Sequence, residues 1–229
     1  MTVPVYGRLP VQSTEEHVSE ARPISHIRLD GGRLCIDFAN SIHDRFAAEV
    51  EDYIATPERY VEWARRSGAM ATNEAMDMPL RARERERLMA DVRSLRDAVH
   101  LLLLASADCA PLPADALLVQ NAWLKLARQS QVLSETGVLT FHAERDDARF
   151  PLKRIALDLI DTIADARAGK LKLRLCANHR SCGWLFADTS KNGMRRWCAM
   201  ETCGTISKMA TRRNKSAPVS SDALRRTQQ

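Results

Sequence analysis

Residues 176–203 read CANHRSCGWLFADTSKNGMRRWCAMETC. Cys176, Cys182, Cys198 and Cys203 follow the pattern C-x5-C-x15-C-x4-C, so four of the six cysteines in the chain fall within 28 residues. Two close pairs separated by a longer spacer are the sequence form of a structural zinc site, because zinc(II) takes four soft ligands in a tetrahedron and each short loop supplies one edge. The spacer is expected to fold as a hairpin. Trp184, Leu185 and Phe186 make an apolar first strand, Asn192-Gly193 is a tight-turn dipeptide, and Met194 to Cys198 return as the second strand. The last pair leads into SKMATRRNK, a candidate basic helix. Two disulfides, an unrelated cluster of buried thiols, or a redox or iron–sulfur site are the competing readings. Four cysteines would close the metal's coordination shell and leave no catalytic position. His179, three residues after Cys176, is an alternative ligand.

Outward from this stretch, charge is unevenly placed. The 229 residues carry a net charge of +5. Residues 170–229 hold 13 Lys or Arg against 3 Asp or Glu, and the preceding 169 residues hold 21 against 26. A basic block on a mildly acidic body is the footprint of nucleic-acid binding, although a solvated tail has the same composition. Hydrophobic residues make up 45% of the chain, enough for a real core. The start shows no basic stretch followed by an apolar run, and no run is long enough to span a bilayer. A cytoplasmic protein with free thiols, and no membrane partner, is expected.

Before the cysteines the pattern is mostly helical. Residues 1–25 read as a flexible arm and 26–169 as one helical domain with a few short strands. Asp30-Gly31-Gly32 is a turn, and Arg33 to Phe38 is a short strand or the start of a helix. Asp37, Asn40 and His43 are spaced by three, on one face if the stretch is helical. They are the candidate lining of a ligand pocket, and local capping is the plainer explanation. Thr56-Pro57 opens a helix that Gly68 ends. Leu80 to Ala107 is the longest helix, with Leu88, Val92, Leu95, Val99 and Leu102 as its apolar stripe. Its RARERER start alternates in sign and reads as a solvated face with internal ion pairs. Leu112 to Leu133 is the next helix, anchored by Leu117, Leu118, Trp123 and Leu126. Val138 to His142 is a short strand, and Phe150 to Ala168 the last helix. Lys170 to Cys176 alternates as KLKLRLC, a strand feeding into the cysteine module. The module spans 170–215, and 216–229 reads as a disordered tail. The fold class is α+β: a mostly helical N-terminal domain, then a small four-cysteine module of knuckle, β-hairpin and basic helix.

CGWLFADTSKNGMRRWC, followed by Cys203-Gly204 and the basic stretch, resembles the CGNR-type zinc finger of bacterial proteins. LCIDFANSI, residues 34–42, resembles the Leu-x-x-Asp-Phe-x-Asn signature of the ABATE domain that precedes that finger. The resemblance covers roughly residues 25–215. It implies a stress-induced transcription regulator holding one structural zinc on Cys176, Cys182, Cys198 and Cys203. Where the finger's name-giving motif reads Cys-Gly-Asn-Arg, this chain reads Cys203-Gly204-Thr205-Ile206, which puts the family's contacts at those two positions in doubt.

The expected function is therefore a zinc-finger DNA-binding regulator with an N-terminal sensing or dimerisation domain. Arg195, Arg196, Lys208, Arg212, Arg213 and Lys215 are the candidate DNA contacts, mainly to phosphates. A homodimer and a small-molecule effector are the further partners implied. The alternative is a zinc-stabilised module that binds another protein. No nucleophile, open metal position or phosphate-binding glycine loop can be argued from spacing, so an enzyme is not expected.

Overall fold

The computed structural model describes residues 22–45, 47, 50–70, 80–141, 148–178 and 181–209. Most of the expected arm, the 216–229 tail, His179, Arg212, Arg213 and Lys215 lie outside the described residues.

Three helices make the frame: α3 (Ala82–Ala107), α4 (Ala114–Gln129) and α5 (Phe150–Arg167), each packed on the other two. Every residue of the expected α3 stripe is buried. Its charged first turn is solvated, as its alternating signs imply. Its described ion pair is external, however: Arg85 meets Glu58 of α2 (Pro57–Arg66) at 2.5 Å. Helix α2 starts as the sequence predicts, with Thr56 Oγ1 accepting from Arg59 N and Pro57 in the first turn. Gly68, at φ +74°, ends it in a conformation that favours glycine.

Helix α4 keeps only part of its expected face: Trp123 is buried and Leu117 packs against the core. Leu118 is 71% exposed and Leu126 43%. The fully buried face is Ala116, Gln120, Trp123 and Ala127, at 4-3-4 spacing. Gln120 is tolerated there because its Nε2 donates to Ala156 O of α5 at 2.7 Å. The helix also ends earlier than expected. Gln131–Leu133 forms a strand, β3, paired antiparallel with β4 (Leu139–Phe141).

The short helix α1 (Leu34–Ala39) lies on α3 and α5. Asp158 of α5 accepts from Cys35 N at 2.8 Å, which satisfies one of the unpaired N–H groups at its start. Arg33 reaches Asp165 at 2.6 Å. After α1 come β1 (Ile42–His43) and β2 (Glu51–Asp52), paired antiparallel. Asp52 holds the buried Arg96 of α3 through two bonds of 2.7 and 2.6 Å. Ser41 Oγ accepts from the same guanidinium at 3.1 Å. The expected loose arm ends before residue 25: Ile24 is in the core, and Arg66 donates to Ile24 O and Ile27 O.

The C-terminal module carries the third two-stranded sheet. Strand β6 (Leu185–Ala187) pairs antiparallel with β5 (Leu173–Leu175), in the register Leu173↔Ala187 and Leu175↔Leu185. This corrects the expected hairpin. The partner of 185–187 is the strand before Cys176, not residues 194–198. The Asn192-Gly193 turn is present, with Gly193 at φ +59° donating to Ser190 O at 2.9 Å. The return from it is held by side chains instead of a ladder. The sheet packs against α1 and α3, so the module and the body share one buried core. A π-helical turn, Met200–Gly204, and one helical turn over 205–209 close the described chain.

Candidate metal centre

Cys176 follows directly on β5, and Cys182 sits three residues before β6. The antiparallel pair therefore brings the two ends of the first loop together, and Trp184 O accepts from Cys176 N at 2.8 Å. Within the loop Asn178 Nδ2 donates to Ser181 Oγ at 2.8 Å. Cys198 is brought beside Cys176 by the pairing of Ala177 N with Arg196 O at 2.8 Å. Cys198 N then points at Cys176 Sγ, 3.4 Å away. Cys203 arrives from the π-helical turn. There Gly204 N donates to Ala199 O, and a Cβ on Gly204 would lie 2.6 Å from Met200 Sδ. A side chain there would have to push the exposed Met200 thioether aside.

All four cysteines are buried, and their sulfurs lie within 4.8 Å of one another. The Cys182–Cys198 and Cys198–Cys203 separations are each 3.6 Å. A tetrahedron of sulfurs at the usual zinc–sulfur distance of about 2.3 Å has edges of about 3.8 Å, so the set fits one zinc ion. All six cysteines are free thiols, and the four sulfurs stand too far apart for the disulfide reading. The four thiols lie close enough to share protons. Cys203 and Cys176 are pulled below the ordinary thiol value, Cys176 to about 7, chiefly by hydrogen bonds from the neighbouring thiols. Cys182 and Cys198 are pushed up by the same sharing. A bound dication would take the place of those shared protons, with all four residues ligating as thiolates.

Asp188 braces the second half of the site, and the spacing of the cysteines does not reveal it. Its side chain is fully buried beside Arg174, whose Nε donates at 2.9 Å. Ser190 N, Ser190 Oγ and Arg195 N donate to it as well, at 3.0, 2.5 and 3.0 Å. Burial alone would raise this carboxyl, but the four donors hold it down at about 2. The Asp188-x-Ser190 spacing is a local turn signal that could have found it.

The candidate DNA contacts separate. Arg195 faces inward. Its guanidinium donates to Trp197 O at 2.9 Å and to Cys198 O, and its Cζ lies 4.6 Å from the centroid of the Phe186 ring. Arg196 is exposed, 5.0 Å from the centroid of the Trp197 ring, and Lys208 is exposed on the last helical turn. Beside Arg196 opens a hollow of about 390 Å³, lined also by Asn192, Met194, Arg195, Trp197 and Met200. Trp197 Nε1 donates to Ser207 Oγ at 3.1 Å, which ties the last turn to the knuckle.

Asp37, Asn40 and His43 do not share a helical face. Helix α1 ends at Ala39, so Asp37 is inside it, Asn40 caps it, and His43 is in β1. Asp37 Oδ1 accepts from Gly31 N at 2.8 Å. Desolvation raises its carboxyl to about 7. Asn40 is buried, with both ends of its amide on the backbone of Leu185. His43 stacks near Tyr53 and meets the edge of Trp184, with Nδ1 3.9 Å from Glu51. All three lie along the seam between body and module.

No curated protein matches the chain. Two family profiles do. The zf-CGNR profile, "CGNR zinc finger", matches residues 172–216. The ABATE profile, described as "Putative stress-induced transcription regulator", matches residues 32–166, more than half of the chain. With the four-sulfur cluster inside the second match, the cofactor is one structural zinc, and the chain belongs to the ABATE family with a CGNR zinc finger at its C-terminal side.

Proposed function

We propose that this chain is a DNA-binding transcription regulator whose zinc finger carries its cationic segment onto the phosphate backbone. The observation that carries the reading is the coupling of a closed four-cysteine site to a segment with 13 basic and 3 acidic residues. Metal ligation fixes the shape of a module too small to bury a core alone, and the charge gives it a polyanion as partner. Arg196, at the hollow, and Lys208, on the last helical turn, are exposed cations of the module, with Arg212, Arg213 and Lys215 continuing the stretch. Arg195 has the different task of closing the knuckle. So few contacts imply modest affinity, and a homodimer would supply the second set that a specific site needs. The reading also makes the protein non-catalytic, because four thiolates fill the metal's shell. It puts the protein in the cytoplasm, where thiols stay reduced.

A second reading has its own observation. Met194, Met200, Ile206 and Met209 are exposed on the same module, and flexible thioethers suit a protein partner. Fluorescence anisotropy with a random 30-base-pair duplex at low salt separates the two. The DNA reading expects binding that weakens with salt, drops several-fold in an Arg196→Ala/Lys208→Ala variant, and disappears on chelation. Binding that survives metal removal, or none at low salt, rejects it.

A further inference from the structure

Strand β6 has two edges. One pairs with β5; the other faces the body. On that second edge Leu185 donates to Asn40 Oδ1 at 3.0 Å and accepts from Asn40 Nδ2 at 2.8 Å. Two residues on, Ala187 N donates to Gly31 O at 2.8 Å. Residues 185 and 187 present the same edge, because strand geometry alternates with a period of two. The side-chain amide of Asn40 therefore does what a peptide group of a third strand would do, and Gly31 adds the next bond. Gly31 is itself held: its N–H donates to Asp37, and a Cβ on it would lie 2.6 Å from Ile36 Cγ2. Trp184 Nε1 donates to Ile42 O at 3.0 Å, one step nearer the metal ligands. Cys182 lies two residues before Trp184, and Cys176 N is bonded to Trp184 O.

We propose that Asn40, together with Gly31, is a positioning residue for the zinc centre. It completes the finger's two-stranded sheet from the N-terminal domain, so that part of the finger's hold on its metal resides in that domain. A two-stranded sheet is marginal by itself, and an open edge frays. Fraying at Leu185 would loosen Trp184, and through its carbonyl the first cysteine loop. The signature Leu34-x-x-Asp37-Phe38-x-Asn40 then has a physical task. Its Asp sets the Gly31 loop and its Asn grips the finger. Both ends of the Asn40 amide are engaged, so a ligand at that side chain would have to open the seam.

The test uses the full zinc-loaded chain and follows zinc transfer to a chromophoric chelator at a temperature where the helical signal is unchanged. Asn40→Ala is expected to release zinc about tenfold faster, in the range seen when groups that orient metal ligands are removed. The cobalt(II)-substituted variant should keep a four-thiolate absorption spectrum, since no ligand has changed. Trp184→Phe, which deletes the bond to Ile42 O together with part of the ring packed on His43 and Tyr53, should release about two- to threefold faster. Leu118→Ala, exposed and far from the seam in sequence, is the control and should match the wild type. A release rate for Asn40→Ala within twofold of wild type overturns the proposal, as does an equal acceleration in Leu118→Ala. If Asn40→Ala fails to fold, an unchanged rate in Trp184→Phe overturns it instead.

Discussion

Helix α3 has 26 residues, and the stretch from Cys176 to Cys203 has 28. The two solve the same problem differently. Helix α3 satisfies its backbone internally and presents one apolar stripe to α4 and α5, so its order comes from periodicity and burial. The cysteine stretch has one three-residue strand and one π-helical turn, and its remaining loops are held by a few isolated backbone bonds and by side chains. Asp188, Arg195 and Asn178 each bond to neighbouring backbone or hydroxyl groups, and four sulfurs meet at the centre. One region is stabilised by a continuous apolar surface and the other by a few directional groups around a point. Such a point fails all at once, whereas a surface fails in proportion to the area lost.

The largest effect should follow from removing that point. Zinc ligation is worth on the order of 10–16 kcal/mol in zinc-finger peptides. Chelation, or Cys203→Ser, should therefore abolish the folded finger. Trp184 and Trp197 would lose their fixed surroundings, read as loss of the near-ultraviolet dichroism they contribute. The far-ultraviolet signal of α3, α4 and α5 should largely persist. A chain that keeps its near-ultraviolet spectrum without metal would break the contrast between the two regions.

The contrast also explains what the sequence makes visible. The α3 stripe and the cysteine spacing are legible because each repeats a rule along the chain. The inner face of α4 is not, because Leu118 and Leu126 are large and outward, while Ala116, Gln120 and Ala127 are inward and unremarkable in composition. The sheet partner of Leu185 is not legible either. An Asn-Gly turn favours pairing the segments beside it, and the true partner lies before Cys176. Asp37 and Asn40 stand out by spacing, but their partners, Gly31 and Leu185, are set by packing. Leu185 is 145 residues from Asn40, and nothing local marks that pairing.

The body and the seam should also part company in their response to pH, with effects of a few kcal/mol. Asp37 rises from 3.8 to about 7 by desolvation, with Asp30 and Asp158 adding to the shift and Arg66 opposing it. Between those values the folded state keeps a proton that the unfolded state has released. Its contribution to stability therefore falls as pH rises from about 4 to 7, and the penalty is complete above 7. His100, buried in α3 near Arg45, falls from 6.5 to about 3, mainly through desolvation. Here the unfolded state takes up the proton first, so stability falls as pH drops from 6.5 towards 3. The two slopes oppose each other between about 4 and 6.5. Asp37→Asn, whose amide oxygen can still accept from Gly31 N, should be more stable than wild type at pH 8 by about 2–4 kcal/mol. That advantage should vanish by pH 4. Urea midpoints of variant and wild type across pH 4–8 measure the difference, in which all other titrating groups cancel. A constant difference across the range would mean that Asp37 is ionised throughout.

The smallest effect concerns the finger's outer face. Ile206 is 50% exposed on the turn over 205–209, at the position where the CGNR motif has its Arg. Ile206→Arg touches no buried group and should leave zinc content and melting within about 0.5 kcal/mol of wild type. On the DNA reading it adds one cation beside Lys208 and Arg196. One further phosphate contact should steepen the dependence of log affinity on log salt by about 0.9. At low salt, duplex affinity should rise about threefold, which anisotropy titrations at three salt concentrations resolve. On the protein-partner reading the same change puts a charge on the surface that also exposes Met194, Met200 and Met209. It would then leave the DNA salt slope untouched. The sign of a small effect at one exposed side chain thus distinguishes a surface shaped for phosphates from one shaped for another protein.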